Sequence, residues 1–414
     1  MRYIAIAIIL AINFTVPLYF DIRMFSVFDL SKITVLYVLT FLLLSTQSLD
    51  FKVNRFEDKE HIFLSCAILL LISAISTIFA VEPLTAILGT YKRYNGFLSL
   101  VIYLFIMYSI VKYIDKRYVI LFVNIIIITA CISCVYGLLQ FAGKDPFPWS
   151  SNFGGRMMGT FGHPAFFSAY IIMVLPLVYA KVIKGKYWLI YILAVCLLIV
   201  TFYVTKTRAS FLGLIGSSIF FVWFVNEWRN KKIYIIFAII IIVSVSFNVK
   251  DKMSPVNRLV ADISNKDEKG NPVLGGTSIQ RYYNVLTAIE VIKDYPVLGI
   301  GLDNFEFVYE YYIDKVLKKY GNAGYSFEMQ NRVHSDFFDT AVGIGIIGLI
   351  AYFYCIFTYV RMIWEKRHND KVMIGGMAAG VFGYFIQNQF SFGHVPILIL
   401  FFSMIGLTVI CCRK

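Results

Sequence analysis

Apolar runs of ~18–25 residues recur along almost the whole chain, and a helical run of that length crosses a ~30 Å hydrocarbon layer. Backbone polar groups in lipid must find their partners within the protein, so only helices and closed β-barrels can span it. Barrel strands alternate polar and apolar residues. The run IYIIFAIIIIVSVSF (233–247) does not alternate, so helices are expected.

The fold class that follows is an all-α, polytopic membrane helical bundle. Its twelve expected spans are 3–20, 31–49, 61–81, 97–114, 118–141, 164–183, 187–205, 208–226, 233–249, 336–360, 371–391 and 395–412. The break at Lys206 and Arg208, with Gly213 and Gly216 just beyond it, divides the seventh run from the eighth. The chain is then organised as 1–249 (nine spans), a large loop at 250–335, and 336–414 (three spans). Only 15% of the 414 residues are charged, against ~25% in a soluble domain. The first run is followed by no small-residue cleavage site and reads as a retained span.

Charge placement orients the bundle. With the N-terminus in the cytoplasm, 19 Lys and Arg fall on cytoplasmic loops and ends and 8 on the short outer loops. The termini are therefore expected inside and the 250–335 loop outside. The net charge of +13 is spread over these loops, which suits membrane lipids as partners and gives no reason to invoke nucleic acid. The seven cysteines lie within or at the ends of apolar runs, so no disulfide framework is implied; Cys131 and Cys134 read as packing residues.

Within the long loop, 265–276 is charged and rich in Gly and Pro, and reads as mobile. TSIQRYYNVLTAIEVIKDYP then reads as a helix capped by Thr277 or Ser278 and ended by Pro296. NFEFVYEYYIDKVLKKYG is amphipathic and aromatic, fit either to lie in the headgroup layer or to pack on the bundle.

No nucleotide loop, HExxH or paired Cys/His metal site is present, and no cofactor or metal is expected. What remains is a set of basic groups expected on the outer face. Arg208 sits at the mouth of a span; a snorkelling anchor would suit that place, and so would a guanidinium fork for phosphate. Arg281 falls in the first turn of the loop helix, where a cation opposes the dipole and an anionic ligand would repair the mismatch. His334, at the re-entry of the loop, could be a structural histidine or a neutral ring that accepts a proton. Arg156 and His163 lie on a Gly-rich approach (GRMMGTFGHP) that lets backbone come near a ligand, and both are possible substrate contacts.

Four segments in this order, GTFGHPAFFSAY, TKTRAS, RYYNVLTAIEVIKDYPVLGIGLDNF and VHSDFFDTAVGIGIIGL, resemble the O-antigen ligase and polymerase superfamily of bacterial membrane proteins. The resemblance implies an inverting, metal-independent glycosyltransferase in the cytoplasmic membrane. It would move a glycan from a polyprenyl diphosphate donor to a hydroxyl of a lipid-anchored glycan acceptor at the outer face. It also implies that Arg208 and Arg281 bind the diphosphate and that His334 is the base. Ser335, Gly343 and His163 depart from the family's usual residues. The chain ends at Lys414 directly after the last run, which favours a ligase or repeat-unit polymerase over a protein O-oligosaccharyltransferase. The rival outside the superfamily is a transporter of anionic solutes, but the polar mid-span residues Asn124, Gln140, Gln387, Asn388 and Gln389 are uncharged.

Overall fold

A computed structural model describes residues 1–48, 61–91, 93–147, 155–227, 230–250, 257, 276–321 and 327–413. The expected mobile stretch lies outside the described residues up to 275. Among the described residues the regular structure is helical, without strands.

The helices are α1 (Arg2–Leu18), α2 (Asp29–Ser48), α3 (His61–Ile78), α4 (Pro83–Leu88), α5 (Phe97–Tyr113), α6 (Lys116–Phe141), α7 (Pro164–Lys184) and α8 (Trp188–Val204). They continue with α9 (Arg208–Val225), α10 (Lys231–Lys250), α11 (Gly276–Asp294), α12 (Phe305–Tyr320), α13 (Asp336–Glu365), α14 (Lys371–Asn388) and α15 (Val395–Cys412). Every expected run is helical. Among the described residues, seven helices are long and apolar enough to cross a membrane by length and composition, and α1, α5 and α8 are shorter apolar helices. The chain is a multi-pass membrane protein. The turn at Lys206 separates α8 from α9 as expected, whereas the short α4 had no counterpart in the apolar pattern.

Helix α7 is the axis of the bundle, with 94% of its apolar window buried. Small residues let its neighbours close in: a Cβ on Gly380 of α14 would lie 2.4 Å from the Met173 carbonyl of α7. In lipid such close approach, rather than a hydrophobic drive, holds helices together.

Lys32 requires a correction. It counted among the outer-loop cations, yet it lies inside α2 and is fully buried. Its Nζ donates to the carbonyls of Val16 (3.1 Å), Pro17 (3.0 Å) and Tyr19 (2.7 Å). These are acceptors that the end of a helix leaves without partners, so Lys32 caps α1 across space.

The second correction concerns the expected continuous span 336–360. Helix α13 is broken at Ile344 and Gly345, which have non-helical dihedral angles. The Tyr352 hydroxyl donates to the Asp336 carboxylate, although 16 residues of unbroken helix would separate them by ~24 Å. The chain therefore folds back at the break into an elbow. The turn 296–301 lies alongside it, with Ile300 N donating to Val342 O and Gly301 N to Gly343 O, both at 2.9 Å. The Ser76 hydroxyl of α3 donates to Gly343 O at 2.9 Å. The freed backbone is thus satisfied within protein, which is the condition for irregular backbone at this depth. Gly345 has φ +70°, and a Cβ there would fall 2.1 Å from the Val297 carbonyl.

Helices α11 and α12 form an outer pair with its own core: Tyr283, Ala288 and Val291 against Tyr309, Ile313 and Val316, continued by Ile300, Val333 and Val342. Of the two readings of α12, packing is the one its buried face fits. Because α11 is helical from Gly276, Arg281 falls in its second turn rather than its first. The dipole argument for Arg281 therefore lapses, since that effect fades within one turn.

Candidate functional site

The connections at one end of the bundle enclose a chamber of about 400 Å³. Arg156, His163, Arg208, Arg281 and His334, all singled out from sequence, line it together. They come from four separated stretches, Arg156 and His163 sharing one. Arg156 is held by the α8–α9 turn: its Nε donates to Thr205 O (3.0 Å) and its Nη2 to Thr207 Oγ1 (3.1 Å). Arg208 opens α9, and Arg281 reaches the chamber from α11. His163 caps α7, its Nδ1 accepting from the Ala165 N–H at 3.1 Å, so one ring nitrogen is committed to structure.

His334 is held in the left-handed region, φ 67°, which costs a non-glycine residue about 1–3 kcal/mol. Its ring packs edge-on to Phe392 with centroids 5.0 Å apart. Burial, followed by the facing guanidiniums of Arg281 and Arg93, pulls its pKa down to about 3. His163 is drawn down to about 4 by burial and then by Arg156 and Arg93. Both rings are neutral at physiological pH.

Sequence reasoning did not single out Arg93, the fourth arginine of the chamber. It lies in the connection between α4 and α5, and its guanidinium sits 4.4 Å from the centre of the Phe392 ring. Its buried Nε has no hydrogen-bond partner. A basic residue next to aromatics and Gly96 in a short loop (YKRYNG) was the available signal. Among the described residues four arginines and one carboxylate line the chamber, and that carboxylate, Asp29, is bonded to His394 Nε2 at 3.0 Å. A lining of this chemistry suits a compact, multiply charged anion, with two neutral imidazoles on its wall. Among the described residues no group of His, Cys, Asp and Glu is arranged to hold a metal ion.

The fold and this chamber define a class: a multi-pass helical membrane protein with an arginine-lined chamber at one end. Residues 192–353 match the family model described as O-antigen ligase, and over this stretch the resemblance read from the sequence is borne out. The family comprises glycosyltransferase-like ligases and polymerases. The matched stretch includes Arg208, Arg281 and His334, while Arg93, Arg156 and His163 precede it. No curated protein matches the chain.

Proposed function

We propose that the protein is an inverting glycosyltransferase that moves a glycan from a polyprenyl diphosphate carrier to a hydroxyl of a lipid-anchored glycan, as an O-antigen ligase does. The observation that supports this best is the convergence, among the described residues, of four arginines and two neutral histidines on a single chamber. Arg208 and Arg281, helped by Arg93 and Arg156, take the diphosphate. His334 removes the proton of the acceptor hydroxyl as its oxygen attacks the anomeric carbon. The bond from that carbon to the diphosphate oxygen breaks on the opposite face, and the arginines hold the charge that develops on the leaving group. Burial and then the guanidiniums of Arg281 and Arg93 lower the basicity of His334. A bound diphosphate would offset the field of these two arginines and raise it.

The chamber is assigned to the outer face. Both termini lie at the opposite end, where Arg2 bonds Tyr113 O and Arg413 bonds Val111 O, amid the loops richest in Lys and Arg.

The decisive experiment combines purified protein, a polyprenyl diphosphate-linked oligosaccharide, an acceptor glycolipid and EDTA. A single new glycolipid band is expected, and activity in EDTA would assign the charge stabilisation to arginine. A ladder would make the enzyme a repeat-unit polymerase. No product with any acceptor, together with saturable uptake of the donor into proteoliposomes, would replace the transferase by a transporter.

A further inference from the structure

The elbow of α13 encloses a second chamber, of about 210 Å³, in which Asp336, Asp339 and Tyr352 come from its two arms and Tyr384 and Asn388 from α14. Its lining is the reverse of the first. Two carboxylates and one arginine, Arg332, are present, and that arginine is already paired with Asp303 at 2.6 Å. Five polar atoms of residues lining the elbow are buried without hydrogen-bond partners: Ser73 Oγ, Arg332 Nε, Asp339 Oδ2, Tyr384 OH and Asn388 Oδ1. Tyr384 and Asn388 are each only 3% exposed. Buried polar atoms of this kind are rare because each costs about 1–3 kcal/mol when unmatched. Five around one cavity indicate that something supplies their partners.

The chemistry of that partner can be read from the wall. A carboxylate oxygen and an amide oxygen accept hydrogen bonds, a phenol and a hydroxyl both give and accept, and the Arg332 N–H gives, so the occupant must present groups that donate and accept, as hydroxyls do. Two carboxylates repel phosphate, which separates this chamber from the basic one. Phe385, Phe401 and Phe402 supply apolar faces. The volume lies below the ~300–1,000 Å³ of pockets for drug-sized ligands, which limits the occupant to about one ring.

Three short segments form the partition between the chambers, each contributing to both sides. Arg93 faces the basic chamber and Asn95 the elbow; Gln387 and Phe392 face the first, Asn388 and Gly393 the second. Asn95 Nδ2 locks two of these segments together by donating to Gly393 O at 2.7 Å. In the third, Arg332 and Asp336 face the elbow while His334 between them faces the arginines. In an extended strand these three would share one side, and the left-handed φ at His334 is where the chain breaks that rule. Asp339 links elbow and base, since its Oδ1 accepts from Val333 N at 2.9 Å, next to His334.

We propose that the elbow chamber is the subsite for the terminal sugar ring of the acceptor glycan. This rests on the transferase reading above. Asp339, Asn388 and Tyr384 bind hydroxyls of the ring, so that its reactive hydroxyl meets His334 from the side opposite the diphosphate.

The test has a binding arm that needs no turnover. Methyl glycosides of the common hexoses, N-acetylhexosamines and heptoses are added at millimolar concentration to the purified protein and followed by saturation-transfer difference NMR. At least one glycoside should receive saturation, lose most of it in Asp339→Asn and Tyr384→Phe, and keep it in Arg208→Ala. In the transfer assay the same two substitutions should raise the acceptor KM about tenfold or more, the loss expected for a hydrogen bond to a charged or buried partner, and leave the donor KM unchanged. Both changes are nearly isosteric, and a monodisperse elution profile establishes the fold of each before use. Saturation transfer to none of the glycosides would mean that the elbow holds only water, and would overturn the assignment. So would transfer that survives both substitutions, or a donor KM that rises in step with the acceptor KM. Binding that depends on Asp339 in a protein that transfers no glycan would uphold the sugar subsite and refute the transferase reading.

Discussion

The outer pair α11–α12 and the basic chamber next to it are both rich in cations, but they use them in opposite ways. On the outer pair, Lys293, Lys315 and Lys319 surround Glu290 at 2.8, 3.7 and 3.1 Å, and Lys315 also reaches Asp294 at 3.4 Å. Positive charge there is matched by negative charge and serves to join two helices. In the chamber, among the described residues, four arginines stand with one carboxylate. Arg156 is kept in place by carbonyl and hydroxyl acceptors, and Arg93 lies against the Phe392 ring. A lysine-and-carboxylate mesh joins helices, whereas guanidiniums set on neutral groups around a cavity suit an anionic ligand. Counting basic residues in the sequence cannot separate the two cases.

The comparison breaks most readily at its centre. His334→Ala and Arg281→Ala should each lower transfer at least about a hundredfold, the usual size of losing a catalytic base or a charge-stabilising donor, without reducing membrane insertion. Turnover of purified His334→Ala at the wild-type rate would remove the base assignment. Next in size, Arg93→Ala should raise the donor KM about tenfold or more. Arg93→Lys should recover little of the loss, because an ammonium lacks the flat face that lies against Phe392. Full recovery by lysine would show that only charge matters there.

A smaller and sharper difference lies in pH. Burial and then Arg281 and Arg93 pull the pKa of His334 from its ordinary 6.5 down to about 3, so the acid limb of kcat/KM should lie well on the acid side of 6.5. Bound diphosphate offsets the arginines, so the acid limb of kcat should lie at higher pH than that of kcat/KM. Coincident limbs would mean that the donor does not tune the base. The linked effect on stability has a fixed sign. Between pH 6.5 and 3 the unfolded chain binds a proton that folded His334 refuses, so this contribution to stability falls as pH falls through that window.

At the small end, Glu290→Gln should loosen the outer pair, seen as a modest drop in Tm, with transfer kinetics unchanged. The lysines hold this carboxylate down to about 2, through hydrogen bonds from Lys293 and then Lys319, so its contribution persists above its ordinary 4.5 and disappears as pH falls toward 2. Lys184→Ala, which removes a half-exposed pair with Asp370, should change neither quantity measurably.

How much of this was legible in the sequence depended on the distance over which each cause acts. Helical runs were readable because hydropathy is local, and every expected run is a helix. The five basic residues singled out from sequence were readable as types in short motifs, although nothing along the chain required them to meet in one chamber. Arg93 escaped because its importance comes from Phe392, about 300 residues away, and Lys32 because its partners belong to another helix. The break in α13 was hidden by the unbroken apolar character of 341–350, although Gly343 and Gly345 marked the place. The acidic elbow was invisible for the same reason, since Asp336 meets Tyr352 only once the chain has folded back.

The elbow also sets an order of manufacture. A chain made from its N-terminus places Arg93, Arg156 and Arg208 in the growing bundle first, and Arg281 follows. The break that orients His334 needs Val342 and Gly343 laid against the turn 296–301, so it closes only after the anion-binding groups exist. On the transferase reading, a product that stops short of the elbow would hold the groups proposed to bind the donor without the turn that orients the proposed base.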